Sequence, residues 1–158
     1  MSNLAGRAIQ GLAAGCVGLV ALELTSYLDQ YLRARPASDS PTRLGERLGD
    51  RLGLELGDGE ARANRASALG PLAGYWDGLL LGVLGGVTMS HDGSPVVTTA
   101  ALTAGAMAGS NGPLIALGIT DPRTWTRDDW LSDAIPHLAY GLATTATLAA
   151  LRSGERAR

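Results

Sequence analysis

The stretch PVVTTAALTAGAMAGSNGPLIALGI, residues 95–119, decides the fold because it holds no charged side chain over 25 positions. A helix of about 20 apolar residues crosses the roughly 30 Å hydrocarbon core of a bilayer, and this stretch is long enough to do so. A backbone in hydrocarbon must satisfy its own hydrogen bonds, so the stretch predicts a membrane-spanning helix. A long buried helix in a soluble bundle is the alternative interpretation.

The composition of the 158-residue chain favours the membrane interpretation. It contains 22 Gly and no Phe, and all 13 of its basic residues are Arg. A soluble core of such small side chains would gain little free energy from burial. In a bilayer, small residues instead let helices approach one another closely. The net charge of −2 does not point to nucleic acid, and Cys16, the single cysteine, excludes an internal disulfide and is interpreted as a packed, inert thiol.

Three further stretches have the length and character of spans. We therefore predict an all-α integral membrane bundle of about four transmembrane helices, forming a single membrane domain over residues 1–158. The four spans lie at about residues 8–28, 69–90, 95–119 and 131–151. The extramembrane loop is predicted over about residues 30–68, and a short turn at residues 91–94 joins the second and third spans.

The long loop contains a predicted amphipathic helix over residues 41–56. Leucines recur every four residues along it, with Ser40 as the cap and Pro41 at the first position. Each of the glycines at positions 45, 49 and 53 weakens such a helix by about 1 kcal/mol relative to Ala. The helix is therefore expected to form on the bilayer surface or on the bundle. A helix that binds a partner protein is the alternative.

The connection before the fourth span carries interfacial signals. Trp125 and Trp130 are typical of the aromatic belt at a membrane surface, and we interpret them as anchors. Stacking of a substrate on the two indoles is the alternative. Asp121 is predicted to cap a turn of helix, and Thr126 with Asp129 is predicted to form a capping pair.

A glycine face runs the length of the second span. Such small-xxx-small spacing favours close helix packing, either within the chain or between copies of it. The first span offers matching glycines at positions 11 and 15, and the third at 105 and 109. The residues of the face are Gly70, Gly74, Gly78, Gly82 and Gly86.

The polar residues inside the spans share one depth. At 1.5 Å of rise per residue, each helix contributes one polar group roughly 10 Å below the loop-side surface. Intramembrane ionisable residues are costly and usually face one another or a water-filled cavity. Two interpretations are open. The residues form either a hydrogen-bonded network that fixes helix register or the lining of a functional cavity. This intramembrane polar cluster comprises Glu23, Asp77, Asn111, Asp133 and His137.

The chemistry of this cluster is limited by what the sequence places beside it. Asp133 and His137 have the spacing of an orienting acid and a general base, but the sequence indicates no nucleophile beside them. One His with carboxylates is a weak metal signature. We therefore predict no catalytic residue, no metal site and no cofactor.

Several stretches resemble a family of short, uncharacterised multi-span membrane proteins of actinobacteria. The most specific are DPRTW (residues 121–125) and PHLAYG (residues 136–141). The others are TSYLD (25–29), RPAS (35–38), GDGE (57–60) and LGPL (69–72). The resemblance implies a multi-span protein of the plasma membrane of a high-GC bacterium, and it implies no activity or site.

Four spans place both termini on one side of the membrane. The loop side then carries nine Arg and the terminal side four, which favours cytoplasmic loops and external termini. The loop-side residues are Arg33, Arg35, Arg43, Arg47, Arg51, Arg62, Arg65, Arg123 and Arg127, and the others are Arg7, Arg152, Arg156 and Arg158.

Two functional hypotheses follow, with the lipid bilayer as surroundings in both. The first is a non-enzymatic accessory or structural membrane component that binds another membrane protein or a second copy. The alternative is a small transporter or ion- or proton-handling channel component that uses the polar cluster. A membrane enzyme acting on a lipid-soluble substrate is a third possibility, for which the sequence names no nucleophile. No hypothesis involves nucleic acid.

Overall fold

The computed structural model describes residues 4–89 and 93–156, where it contains five α-helices and no strand. The prediction of an all-α helical bundle is confirmed. The predicted end of the second span at Ser90 and the turn at His91 and Asp92 lie outside the described residues. The helices are α1 (Leu4–Arg33), α2 (Ser40–Leu52), α3 (Gly59–Thr88), α4 (Pro95–Ala116) and α5 (Arg127–Arg156), with a turn of 3-10 helix at Pro122–Thr124.

The four long helices surround a common centre. α1 packs against α3 and α5, and α4 packs against the other sides of the same two helices. α2 lies outside this group, mainly on α3. At the centre, the side chains of Leu102, Ala106 and Tyr140 form a small buried cluster. The bundle thus has one helix from each predicted span and the amphipathic helix at its side.

On α1, small residues face the bundle and large apolar residues face outward. The buried positions of α1 are Gly11, Ala14, Gly15 and Gly18, whereas Leu24 on the same helix is 65% exposed. This is the reverse of a water-soluble protein, which rarely exposes large contiguous apolar surface. Cys16 follows the same pattern: it is exposed, so the prediction of a packed thiol is wrong, because the glycines of α1 occupy the inner face.

Two helices are long and apolar enough to cross a bilayer by length and composition, namely α1 (Leu4–Arg33) and Arg127–Gly154 of α5. The helices α3 and α4 do not meet that criterion, since Gly and polar residues occupy many of their positions. Crossing by all four long helices therefore stays a prediction.

The amphipathic helix is shorter than predicted. α2 ends at Leu52 because Gly53 adopts a left-handed conformation with φ of 65°. Glycine adopts this conformation without steric cost, and it commonly ends helices there. Leu56 consequently lies beyond the helix, where the chain turns back and places its side chain against Gly49 with only 5% of its surface exposed. α3 begins at Gly59 and continues without a break to Thr88, so the last residues of the predicted extramembrane segment and the predicted second span belong to one helix.

The connection before α5 has the predicted capping bonds. The backbone N–H of Arg123 donates to the Asp121 carboxylate at 3.0 Å. The backbone N–H of Thr126 donates to Asp129 Oδ2 at 2.8 Å, and the Asp129 N–H donates to Thr126 Oγ1 at 3.2 Å. Hydrogen bonds from Thr126 accordingly hold the pKa of the Asp129 carboxyl below its usual value. These bonds fix where α5 begins and so fix the depth of its polar residues.

The two tryptophans of this connection contact each other. Their ring centroids lie 4.9 Å apart in an edge-to-face arrangement, and Trp125 Nε1 donates to Thr120 Oγ1 at 2.8 Å. Trp130 is 44% exposed on the outside of α5. An outward-facing indole at a helix end is the arrangement that an interfacial anchor requires.

Candidate functional site

A cavity of about 1210 Å³ opens between the helices on the loop side. Its mouth is formed by the loops at residues 35–41 and 119–125, including Arg35 and Trp125. Its inner end reaches Gly78, Ala106 and Tyr140 near the middle of the bundle. The cavity thus extends from the loop side to the depth of the predicted polar layer.

All five residues of the predicted polar cluster line this cavity. Each long helix contributes at least one of them, so the layer arises from four separate segments of the chain. They are Glu23 on α1, Asp77 on α3, Asn111 on α4, and Asp133 and His137 on α5.

Direct hydrogen bonds join α4 to α5 within the layer. Asn111 Nδ2 lies 3.1 Å from Oδ1 and 3.0 Å from Oδ2 of Asp133. His137 Nδ1 lies 2.6 Å from the backbone oxygen of Asp133, one turn earlier on α5, and 3.6 Å from its Oδ1. Because a carbonyl oxygen only accepts, Nδ1 carries a hydrogen and donates it. The imidazole is thereby fixed in one orientation.

The other imidazole nitrogen faces a serine. His137 Nε2 lies 3.0 Å from Ser110 Oγ on α4. With Nδ1 protonated, Nε2 of the neutral imidazole is an acceptor, so the Ser110 hydroxyl donates to it. When the imidazole is protonated, Nε2 donates instead, and the hydroxyl can turn to the Met107 carbonyl oxygen, 3.3 Å away. The Ser110 hydrogen therefore changes partner with the protonation of His137.

Sequence reasoning did not identify Ser110. The residue precedes Asn111, which the depth argument did select, and adjacency at that depth was the available signal. What the sequence could not show is the rotation of α4 relative to α5, which brings Ser110 to a histidine 27 positions further along the chain.

The two remaining acids approach from the other helices. Asp77 lies beside Gly109 of α4, where any side chain would collide with the carboxylate. Asp77 and His137 line the same cavity. Glu23 lies on another wall of the cavity beside the Tyr75 hydroxyl. Hydrogen bonds thus define a group on α4 and α5, while Asp77 and Glu23 border the same space from α3 and α1.

The glycine face packs mainly within the chain. A Cβ added to Gly82 would lie 2.6 Å from the backbone oxygen of Gly11 and 2.6 Å from Cα of Gly15, so α1 and α3 touch backbone to backbone there. Gly86 contacts the backbone of α1 in the same way, and Gly78 receives the Leu19 side chain. The other two members of the face differ, since Gly70 contacts the Pro41 backbone and Gly74 has no neighbour within 4 Å. On α4, Gly105 contacts the Leu81 side chain and Gly109 contacts the Asp77 side chain.

Gly74 departs from the predicted packing because its side of α3 borders the cavity. The spacing of four residues rotates by about 40° per step relative to the 3.6-residue turn of a helix. A face of five glycines therefore winds around α3, and it cannot touch one neighbour throughout. The remaining members contact α1 or the start of α2.

An ion-pair cluster closes the loop end of the bundle between α1 and α5. Asp29, one residue beyond the predicted first span, accepts from Arg33 Nε at 2.7 Å and from Arg35 Nε at 2.6 Å. The two guanidinium groups lower the pKa of Asp29 to about 2, chiefly through the hydrogen bond from Arg33. Arg33 also bonds the Ser132 hydroxyl and the backbone oxygen of Asp128 on α5. Ion pairs and hydrogen bonds of Arg33 thus join α1 to α5 on one side of the cavity mouth.

The acids and the histidine of the cavity are not arranged as a metal centre. Among the residues that the structure describes, no group of three or more His, Cys, Asp or Glu side chains has the proximity that a metal ion requires. Comparisons with models of protein families, with curated proteins and with solved structures give no match. The function is therefore argued from the cavity.

Proposed function

We propose that the chain is a multi-pass plasma-membrane protein, in which α1, α3, α4 and α5 all cross the bilayer, and that its cavity binds and transfers protons or small cations. It would act as a small transporter or as a component of an ion channel. The observation that carries the proposal is the convergence of Glu23, Asp77, Asn111, Asp133 and His137 on one cavity open at the loop side.

The outer surface of α3 supports a membrane position for this helix as well. Its exposed large side chains fall every four residues, on the side that faces away from α1: Leu72, Trp76, Leu80 and Leu84. In water such a stripe would be an unfavourable apolar surface, whereas in a bilayer it contacts lipid. α3 has 30 residues and α4 has 22, enough for either to cross.

The distribution of polar groups favours ion handling over a hydrogen-bonded network with a purely structural role. A purely structural network needs only donors and acceptors that pair with one another, and the hydrogen bonds among Asn111, Asp133 and His137 are enough for that. Asp77 and Glu23 add two carboxylates on other walls of the cavity. Acids facing a cavity within the membrane are typical of proton and cation pathways. The Ser110 hydroxyl, which changes partner with the charge of His137, is suited to passing a proton.

The orientation with cytoplasmic loops places the mouth of the cavity on the cytoplasmic side. Nine Arg lie in the segments proposed for that side, which is the charge bias that orients multi-span proteins. Because secondary transporters often combine repeated halves, a chain of four spans would complete a pathway by self-association.

Proton flux into liposomes tests the proposal. The purified chain is reconstituted with a trapped pH-sensitive dye, and a pH gradient is applied across the membrane. We expect uptake above that of empty liposomes, and a reduction of at least about tenfold in Asp77→Asn, because the amide cannot exchange a proton. Asp50→Asn, which removes a carboxylate on α2 outside the cavity, is the matched control. Flux equal to that of empty liposomes, or equal flux in wild type and Asp77→Asn, contradicts the proposal.

A non-enzymatic accessory role is the second candidate. Most of the apolar side of α2 is used within the chain, since Leu44 is buried and Gly45 meets the backbone of Ala66 on α3. Leu52 and Leu54 at its end remain 66% and 46% exposed and offer a small surface for another membrane protein. Affinity purification in mild detergent tests this role: a partner retained by wild type and lost in Leu52→Asn supports it, and a preparation without a stoichiometric partner contradicts it.

A further inference from the structure

We propose that Ser110 is a nucleophile activated by His137, and that the cavity hydrolyses carboxylic esters with an apolar acyl chain. This activity goes beyond ion transfer and does not depend on it. The inference rests on the Ser110–His137 contact, on the fixed orientation of the imidazole and on the position of both residues in the cavity wall.

The geometry matches that of a nucleophile and its general base. Ser110 Oγ lies 3.0 Å from His137 Nε2, within the distance over which a hydroxyl hydrogen passes to a base. The 2.6 Å bond from Nδ1 to the Asp133 backbone oxygen keeps the hydrogen on Nδ1 and directs the Nε2 lone pair at the serine. The Asp133 carboxylate, 3.6 Å from Nδ1, would stabilise the imidazolium that forms.

The proposal assigns the role of oxyanion donor to Asn111, the residue next to the serine. Asn111 Nδ2 donates to the Asp133 carboxylate, whose two oxygens lie 3.1 and 3.0 Å from it. An amide nitrogen carries two hydrogens, and in the proposed reaction the second would donate to the negative oxygen of the tetrahedral intermediate. Asn111 also lines the cavity.

The surroundings of Ser110 define the substrate class. The serine is only partly buried, and the cavity it lines is deep enough to admit a chain of several carbons. Leu19, Leu22 and Ala106 supply apolar surface at the inner end of this cavity, while Arg35 and Arg43 lie at its mouth. An ester whose acyl chain points inward and whose alcohol portion points to the loop side fits this polarity.

The reaction uses water as its second substrate. Ser110 Oγ bonds to the ester carbonyl carbon while its hydrogen passes to His137 Nε2. The bond to the alcohol oxygen then breaks, and the imidazolium returns the hydrogen to the departing alcohol. His137 then takes a hydrogen from water, whose oxygen bonds to the acyl carbon. The bond between that carbon and Ser110 Oγ breaks, and the imidazolium returns the hydrogen to Ser110 Oγ, so that ester and water give acid and alcohol.

Labelling with an alkyl fluorophosphonate tests the nucleophile. The full chain in mild detergent is incubated with the probe, and peptide mass spectrometry locates the adduct. We expect an adduct on Ser110 of the wild type, none in Ser110→Ala, and labelling about 100-fold slower in His137→Gln, in line with the usual contribution of a general base. Release of p-nitrophenol from p-nitrophenyl octanoate is expected to follow the same order.

Ser132→Ala is the matched control, because it removes another cavity-lining hydroxyl that bonds Arg33 and not the imidazole. This variant is expected to label like the wild type, and gel filtration and thermal unfolding establish that each variant is folded. The wild type decides the question without any variant: absence of a Ser110 adduct overturns the proposal. Equal labelling of Ser110 in wild type and folded His137→Gln, or equal labelling of Ser132 and Ser110, overturns it as well.

Discussion

Gly82 of α3 and Gly15 of α1 are in backbone contact, since a Cβ added to Gly82 would lie 2.6 Å from Cα of Gly15. Neither helix can move away without separating the apolar surfaces above and below this point. A substitution at this contact therefore reports directly on the packing of α1 against α3. The contact lies on the side of the bundle opposite the α4–α5 hydrogen bonds.

Replacing Gly82 by Ala should destabilise the bundle by about 1–3 kcal/mol, the usual cost of overpacking. The added methyl group meets backbone atoms of α1, which cannot rotate away as a flexible side chain can. Gly74→Ala is the matched control, because it makes the same chemical change on the same helix with nothing within 4 Å. Unfolding in mixed micelles measures both variants, and equal stability of the two would contradict the packing argument.

Removing the Tyr140 hydroxyl should cost about 1 kcal/mol, the usual net value of a neutral hydrogen bond. The hydroxyl group donates to the Gly78 backbone oxygen at 2.6 Å, and the side chain is fully buried. Tyr140→Phe should therefore unfold more readily than wild type. Tyr31→Phe, at a residue that is 82% exposed, should change nothing measurable. A Tyr140→Phe variant as stable as Tyr31→Phe would show that the bond does not contribute.

Asn111 and Asp133 should be energetically coupled. Their contacts of 3.0 and 3.1 Å join α4 to α5, and a bond to a charged group is worth about 1.5–3 kcal/mol. A double-mutant cycle with Asn111→Ala, Asp133→Ala and both together measures the coupling without the separate costs of each truncation. Additive effects of the two substitutions would mean that the pair is not formed in the folded chain.

The Asp29 ion pairs should stabilise the loop end evenly across ordinary pH. The arginines lower the pKa of Asp29 to about 2 in the folded chain, against about 3.9 for an unperturbed Asp. Because the folded value is depressed, the stabilisation is complete above the unfolded pKa and is lost as pH falls through the folded one. The stability difference between wild type and Asp29→Asn should stay constant from about pH 5 to pH 8 and shrink between about pH 4 and pH 2.

Denaturation of the two proteins in micelles over this pH range measures the effect. A difference that already declines between pH 8 and pH 6 would require another titrating group to control the loop end. A difference unchanged down to pH 2 would show that the carboxylate is not paired in the folded chain.

The sequence determined the helical fold and five of the residues that line the cavity. The long helices and the start of α5 could be located from local signals. These signals are hydrophobic stretches, capping residues such as Asp121, and glycines at turns. The depth of the polar residues also follows from counting along each helix, because the rise per residue is constant. This is why Glu23, Asp77 and His137 could be selected before their neighbours were known.

Only the tertiary structure decided how the helices are rotated against one another. Rotation depends on side-chain packing between distant segments, and a sequence with small residues on several faces does not specify it. The backbone contact of Gly82 with α1, the open position of Gly74 and the placement of Ser110 against His137 all follow from that rotation. The position of each polar residue along its helix could thus be predicted from the sequence. Which of these groups pair with one another is decided by the packing of the helices.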